Sequence, residues 1–294
     1  EICKFLVSSN ALELINGSLD IPKIQSIGIP TTLVDLLNQR LNRVHFAKET
    51  AQLAATIGRT FNLELLTSVS TLSESQVQQD LNSLVAADLI VLQRRMGSEK
   101  YLFKHALVQD AAYQSMTAEV RKKFHYEVAN TLEANKETVA SDPGILAHHF
   151  FESRTYKKAL MYSQATAQLS MSKSAYSETI HFGEKALACL DEIDDSAEKE
   201  LEINQSLAIA TMMTKGWASP DVEKIHQRSR ALLEKHNVSN PELKFNIHWS
   251  QATFYNVRGF HTQTLREIDH AFELLDGDEG KESALLALKG HTNW

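Results

Sequence analysis

Glycine and proline are scarce in this sequence, with 11 Gly and 5 Pro among 294 residues. Because the turns between short strands depend on these residues, their scarcity excludes a fold built mainly from β-strands. The sequence has no apolar run of about 18 residues, so it predicts no membrane-spanning helix. It contains neither a GxxxxGK(S/T) nor a GxGxxG motif, so we expect no complete nucleotide pocket within these residues.

Cysteine is also rare, since Cys3 and Cys189 are the only two and lie in no CxxC motif. This usage is typical of free thiols in a reducing compartment, so we expect a cytoplasmic location. The net charge of −7 opposes general binding to nucleic acids or to anionic membranes. The sequence starts without Met and stops at Trp294 just after a helical pattern, which indicates a fragment of a larger protein.

The first half of the chain predicts a small domain after a connector. Residues 1–16 have the apolar spacing of a short helix, and 21–30 alternate like an extended connector. Within 31–115, helical periodicity gives way to two β-rich runs, at 89–94 and 100–103, and helical periodicity then resumes. Helices followed by a two-stranded wing predict a winged-helix domain.

A capping box marks one helix in this domain, because Ser73 is followed by Gln76 three residues later. The turn between the two β-rich runs is predicted at 96–98.

From about residue 117 the pattern is helical without a convincing strand. Small residues and turns recur at spacings that resemble tetratricopeptide repeats, as in Ala252, Tyr255, Gly259 and Ala271. The fold class is therefore predicted as mainly α, with a winged-helix domain followed by a tetratricopeptide-like α-superhelix; an irregular helical bundle is the alternative. The predicted helices are 117–135, 143–153, 155–173, 176–191, 196–214, 220–236, 241–257, 261–275 and 280–290.

No motif predicts a metal site. Glu223 and His226 form half of the Glu-x-x-His pattern of di-iron bundles, and a second copy is absent. His148 and His149 are adjacent, so they point about 100° apart on a helix. The acidic run 276–280 lacks the remaining ligands of a calcium loop and reads as a helix-terminating turn.

Four basic residues of the predicted wing raise the question of DNA binding. The predicted recognition helix, 73–88, contains acidic residues and no Lys or Arg, so DNA would repel it. We therefore expect the wing to contact an acidic neighbouring domain or solvent, rather than DNA. The basic residues are Arg94, Arg95, Lys100 and Lys104.

His105 is the candidate site residue. It lies where the second β-rich run passes into a helix, and a helix N-terminus favours anions because its N–H groups are unpaired. The histidine is therefore placed to contact a phosphate. For a single histidine, a packed or hydrogen-bonded structural role is the competing interpretation.

Three strings resemble a known family. The string LAATIGRTF at 53–61 resembles LAAvIGReF, which follows the ATPase core in bacterial signal transduction ATPases with numerous domains. FKHALVQDAAY at 103–113 resembles their F.HALiqdaaY string, and IPTTL at 29–33 matches the IPaTL string that precedes both. Residues 147–150 and 174–176 also fit the repeats of these proteins.

The resemblance covers nearly the whole chain and is greatest to proteins that carry a class III nucleotide cyclase domain before the ATPase. It implies the end of an ATPase lid (1–30), a winged-helix domain (31–115) and tetratricopeptide-like repeats (116–294). It also implies that ATP or ADP and Mg are cofactors of an upstream ATPase domain in cis. The fragment itself would hold no cofactor and no catalytic residue.

In this family, the histidine of a Met-His-Asp string after the wing contacts the β-phosphate of ADP and holds the off state. His105 lies at the equivalent place, whereas Lys104 and Ala106 replace the Met and the Asp. The resemblance therefore carries over His105 alone.

These observations favour a regulatory and protein-interaction region. The repeats would bind a protein partner or effector, and the winged helix would transmit that event to the nucleotide state of the ATPase. One alternative is the same region of a transcriptional activator with a DNA-binding domain beyond Trp294. The other is a plain scaffold without linkage to a nucleotide.

Overall fold

The computed structural model describes residues 14–15, 18–19, 44–95, 98–193 and 197–292. These residues form two compact units that divide between Asn135 and Lys136. Most of the predicted lid remnant at 1–30, the IPTTL string and the predicted turn at Met96 and Gly97 lie outside the described residues.

A short strand pair replaces the end of the helix predicted at 1–16. Strand β1 (Leu14–Ile15) pairs antiparallel with β2 (Ser18–Leu19), with Leu14 opposite Leu19. An Asn-Gly dipeptide, which favours tight hairpin turns, separates the two strands in the sequence. The helix prediction was therefore wrong at this end.

The rest of the first unit combines short helices with a three-stranded antiparallel sheet in the order β3-β5-β4. The two longer strands correspond to the two predicted β-rich runs and are paired from Ile90 opposite Phe103 to Arg95 opposite Ser98. The elements are a 3-10 turn (His45–Ala47), α1 (Lys48–Ile57), β3 (Thr60–Phe61), α2 (Leu63–Val69), α3 (Glu74–Ala86), β4 (Ile90–Arg95), β5 (Ser98–Phe103), α4 (Ala106–Gln114) and α5 (Ala118–Glu133).

One hydrophobic core joins the sheet to the helices of this unit. Leu81 and Leu84 of α3 are buried with Phe103 of β5 and Val128 of α5. Helix α5 packs on α1 and α2, so it lies in the first unit, although the predicted domain range, 31–115, ends before it.

Only one of the two hydrogen bonds of the predicted capping box of α3 is formed. Ser73 Oγ accepts a hydrogen bond from the backbone N–H of Gln76 at 3.4 Å. The Gln76 carboxamide donates instead to Asp80 Oδ1, at 2.9 Å. Asp80 is buried and also accepts a hydrogen bond from the Thr50 hydroxyl at 2.5 Å, which links α3 to α1.

The second unit is helical throughout its described residues. The helices confirm the predicted ones from residue 143 onward to within a few residues, and a short helix, α6, was not predicted. They are α6 (Lys136–Ser141), α7 (Pro143–Glu152), α8 (Tyr156–Ser172), α9 (Tyr176–Leu190), α10 (Ala197–Lys215), α11 (Pro220–Lys235), α12 (Pro241–Val257), α13 (His261–Phe272) and α14 (Glu279–Thr292).

These helices pack in a repeating order. We call α8, α10, α12 and α14 the A helices, and α9, α11 and α13 the B helices. Each of the first three A helices packs on the B helix that follows it and also contacts the next A helix. This nearest-neighbour pattern is typical of repeat architectures, in which stacking buries faces that a single helix pair leaves exposed.

The turns from A to B helices share a left-handed residue. Ser174, Gly216 and Gly259 have φ values of 57°, 93° and 73° in the three turns. Small residues are buried where paired helices meet, including Ala252 and Ala271, as the repeat spacing predicted. The mainly α fold class, with a small hairpin followed by paired helices, is confirmed.

Candidate functional site

His105 lies at the joint between β5 and α4, where the sequence placed it. It is the N-cap residue of α4 in an extended conformation, and its side chain makes no capping hydrogen bond. The residue is exposed, so the core-packed interpretation of this histidine does not hold. Its main-chain carbonyl accepts a hydrogen bond from the N–H of Val108 at 3.0 Å.

Two of the basic residues assigned to the wing pair within their own unit. Arg94 Nε lies 2.8 Å from Glu99 Oε1 across the hairpin, and Lys104 Nζ lies 2.5 Å from Asp88 Oδ1. These pairs balance the charge locally, and Lys100 is exposed. The arrangement gives no reason to revise the expectation that the wing does not bind DNA.

Glu223, His226, the acidic run at 276–280 and Cys189 have structural roles. Glu223 pairs with Arg258 Nη1 at 2.5 Å, whereas His226 is buried with its ring edge against Phe254. Asp278 Oδ1 accepts hydrogen bonds from backbone N–H groups at the start of α14, so the acidic run begins a helix rather than ending one. Burial raises the pKa of the Cys189 thiol to about 11, which suits an unreactive buried thiol.

An open groove lies between two A helices, and sequence reasoning missed it. Its volume is about 350 Å³, which falls in the usual range of ligand-binding pockets. Helix α10 contributes one wall and α12 the other, with one residue from the turn after α10. The lining residues are Gln205, Ile209, Met212, Met213, Trp217, Asn246, Trp249, Ser250 and Thr253.

The spacing of the lining residues explains why they meet. On α10, residues 205, 209 and 213 recur every four positions, so their side chains lie on one face of the helix. On α12, Asn246, Trp249 and Thr253 are spaced by three and then four positions, so they also share one face of their helix. Because these two A helices contact each other, the two faces become the walls of one groove.

The groove has an apolar surface with few polar groups and no ionisable side chain among its lining residues. Ile209, Met213 and Trp217 are 38%, 50% and 45% exposed, which is high for large apolar residues. Ser250 Oγ is buried and has no hydrogen-bond partner among the described residues. A buried hydroxyl of this kind is stabilised when a ligand or a water molecule supplies a partner.

The large apolar side chains that are exposed in the described part of the second unit are distributed unevenly between the two types of helix. Within its described part, the large exposed apolar side chains lie on A helices or in the turns that follow them, and none lies on a B helix. They are Met161, Ile209, Met213, Trp217, Val257, Phe260 and Leu286. Three of them, Ile209, Met213 and Trp217, line the groove together, and a contiguous exposed apolar patch is the usual mark of an interaction site.

A buried polar network lies on the far side of α12 from the groove. Glu267 of α13 is 2% exposed and accepts hydrogen bonds from His248 Nδ1 at 2.8 Å and from Arg266 at 3.1 Å. Burial raises the pKa of Glu267, but these hydrogen bonds outweigh it and hold the pKa below its usual value.

Helix α11 joins the same network. The Gln251 side chain donates to the main-chain oxygen of His226 at 3.3 Å, and Arg230 hydrogen bonds to the Tyr255 hydroxyl. Both contacts tie α12 to α11. The α12 wall of the groove is therefore held by its two neighbouring B helices.

Comparisons with known proteins give two similar chains and no family, because no protein-family model matches the chain. The chain is 24% identical over 236 residues to an uncharacterized protein of Rhizobium meliloti (strain 1021), which covers 78% of this chain and 23% of that protein. The chain thus spans about a quarter of the length of that relative.

Among solved structures, the chain is similar to the crystal structure of a Signal Transduction ATPase with Numerous Domains protein with a tetratricopeptide repeat sensor from Pyrococcus horikoshii. The identity is 16%, over 90% of this chain and 43% of that one, with a TM-score of 0.32. A TM-score this low does not establish a shared arrangement of the helices. No described helix of this chain is long and apolar enough to cross a membrane.

The network behind α12 predicts a pH dependence of stability. Burial and the nearby Arg230 lower the pKa of His226 from 6.5 to about 4. Between these values the unfolded chain binds a proton that the folded chain does not, so stability falls as the pH drops from 6.5 towards 4. A shift of this size corresponds to about 3 kcal/mol.

We expect the free energy of unfolding of His226→Gln to fall less than that of the wild type as the pH drops across this window. Urea titrations followed by far-UV circular dichroism measure this free energy. His261→Gln, at an exposed position on α13, is the matched control and should follow the wild-type curve. If the wild-type and His226→Gln curves ran parallel across the window, the buried neutral state of His226 would be refuted.

Proposed function

We propose that this chain is a regulatory, protein-binding region of a larger signalling protein. The observation that carries the proposal is the restriction of exposed large apolar side chains in the second unit to its A helices and their following turns. Burial of such residues against a partner removes apolar surface from water, which is the main favourable term in most protein associations. The B helices offer no comparable surface among the described residues.

The finer proposal concerns what the binding event controls. Resemblance to signal transduction ATPases with numerous domains supports an ATPase domain upstream of this chain, with ATP or ADP and Mg bound there. The hairpin of β4 and β5 with its flanking helices would be the winged-helix domain of that family. A class III nucleotide cyclase domain further upstream would supply the output, and the chain itself would be non-catalytic.

The first unit would pass the binding event to the upstream pocket. His105 is exposed at the start of α4, so its imidazole is free to reach a group outside its own unit. The N–H groups of the first turn of α4 favour an anion at the same end. In the ADP-bound off state, His105 would contact the β-phosphate, and partner binding would favour the state without this contact.

Site-specific photo-crosslinking tests protein binding through the A helices. A photoreactive residue at Met213 on α10 should give protein adducts in cells that express the full-length protein. The same residue at Ala231, exposed on the B helix α11, should give none. Equal adducts at both positions, or none from Met213, would contradict the proposal.

Nucleotide affinity tests the role of His105. In the full-length protein, His105→Ala should weaken ADP binding on the order of tenfold, because a hydrogen bond to a charged group contributes about 1.5–3 kcal/mol. ATP binding should change less. His261→Ala removes another exposed histidine at a helix start and should leave both affinities unchanged. Wild-type ADP affinity in His105→Ala would rule out the phosphate contact.

A further inference from the structure

Helices α7 and α9 place two aromatic rings beside one lysine. The ring centroids of Phe151 on α7 and Phe182 on α9 each lie 5.6 Å from Lys185 Nζ. The Phe182 ring has little room to move, because a Cβ atom on Gly144 of α7 would lie 2.7 Å from its Cζ atom. The His181 ring also stands edge-on to Phe182, with the centroids 5.0 Å apart. The half-buried amine of Lys185 therefore lies next to two apolar walls.

The Lys185 amine has no polar partner within the described part of the chain. Its contacts there are the two rings, and it forms no hydrogen bond or salt bridge. A cation over a ring is stabilised only within about 6 Å of the centroid, so these two rings lie near the outer limit. They replace only part of the water that the ammonium loses. Half-buried lysines without a counter-ion are the ones whose amines react as nucleophiles.

Electrostatics point to the same property of this amine. Burial lowers the pKa of Lys185, and the exposed carboxylate of Glu152 on α7 opposes this effect without cancelling it. The buried thiol of Cys189 lies nearby on α9. A larger fraction of this amine is therefore neutral at a given pH than in an ordinary lysine.

A base lies beside the amine. Burial lowers the pKa of His148 on α7, and the nearby Lys185 ammonium adds to this effect. A neutral imidazole accepts the proton that an amine releases when it attacks an electrophile. One turn of α7 and one turn of α9 thus bring together a nucleophile and a base.

Acylation would remove the charge that burial disfavours at this position. The product is a neutral amide, which loses less by leaving water than an ammonium does. The methyl group of a small acyl chain would also lie against the rings of Phe151 and Phe182 and bury apolar surface. The surroundings of Lys185 therefore favour the acylated form, and they favour a small apolar acyl group over a charged one.

We propose that Lys185 is an acylation site, whose amine takes a small acyl group from an activated donor, either an acyl phosphate or an acyl thioester. The amine nitrogen attacks the carbonyl carbon and forms an N–C bond. The bond from that carbon to the phosphate oxygen or to the thiolate sulfur breaks, and the leaving group departs with the electron pair. His148 takes the proton that the amine loses. Helices α7 and α9 contribute nothing to the groove, so this site goes beyond the proposed function.

Acetylation rates of individual lysines test the proposal. The folded 294-residue chain is incubated with acetyl phosphate or, separately, with acetyl-coenzyme A, and mass spectrometry follows each lysine. At neutral pH, Lys185 should react on the order of threefold faster than Lys157, which is exposed on α8. The donor that gives this preference identifies the acyl source as a phosphate or a thioester. A Lys185 rate no higher than that of Lys157 with either donor would overturn the proposal.

The pH dependence separates reactivity from access. The ratio of the Lys185 rate to the Lys157 rate should fall as the pH rises towards the usual lysine pKa, because ordinary amines then become neutral as well. In urea the ratio should approach one, since the rings no longer surround the amine. A ratio that stays constant with pH, or that persists in the unfolded chain, would contradict the role given to the folded site.

A charge-removing variant tests the cluster itself. Glu152→Gln removes the carboxylate that favours the ammonium, so acetylation of Lys185 should become about twofold faster. Glu234→Gln removes an exposed carboxylate from α11 and should leave the rate unchanged. Equal rates in Glu152→Gln and the wild type would refute the assignment of Lys185 reactivity to its neighbours. None of these outcomes depends on protein binding by the A helices.

Discussion

Contact between helices α10 and α12 is the constraint on which the candidate binding surface depends. The two helices are separated in sequence by α11, yet they contact each other directly because α11 packs beside both. This A-to-A contact turns two helical faces into the walls of one groove. Without it, Ile209 and Trp249 would belong to two unrelated surfaces.

The position of α12 is fixed by a buried hydrogen-bond network on the side of the helix that faces away from the groove. A buried carboxylate, Glu267, is stable there because His248 and Arg266 hydrogen bond to it. Gln251 and Tyr255 connect the same helix to α11. A polar network of this kind tolerates few alternative packings, since each displaced partner leaves a buried group unsatisfied. The groove therefore has one fixed wall and, on α10, flexible methionine side chains.

Much of the fold could be predicted because apolar periodicity reports the buried face of each helix. The helices from residue 143 onward, the hairpin and the position of His105 at its joint with α4 all followed from local patterns. The unit to which α5 belongs could not be predicted in this way. Its apolar stripe shows that one face of the helix is buried, but it does not show against which helices that face packs. The strand pair at Leu14 and Ser18 was also misread, since two residues are too few to show a period.

The groove could not be predicted from local patterns, because its two walls come from helices that are separated along the chain. One signal was available. The run from Leu207 to Met213 is apolar at every position except Thr211, so apolar side chains lie on nearly all sides of this part of the helix. Such a helix is either buried on all sides or presents an apolar surface to a partner. Leu207 and Met212 are buried, whereas Ile209 and Met213 are exposed, so α10 does both.

Methyl spectra of methionine test the central claim most directly. Two of the chain's six methionines, Met212 and Met213, line the groove, and Met116 is buried in the first unit. With carbon-13 labelled methionine methyl groups, a bound protein segment should shift the Met212 and Met213 signals and leave Met116 unchanged. Binding that shifts Met116 while Met212 and Met213 stay fixed would contradict the account.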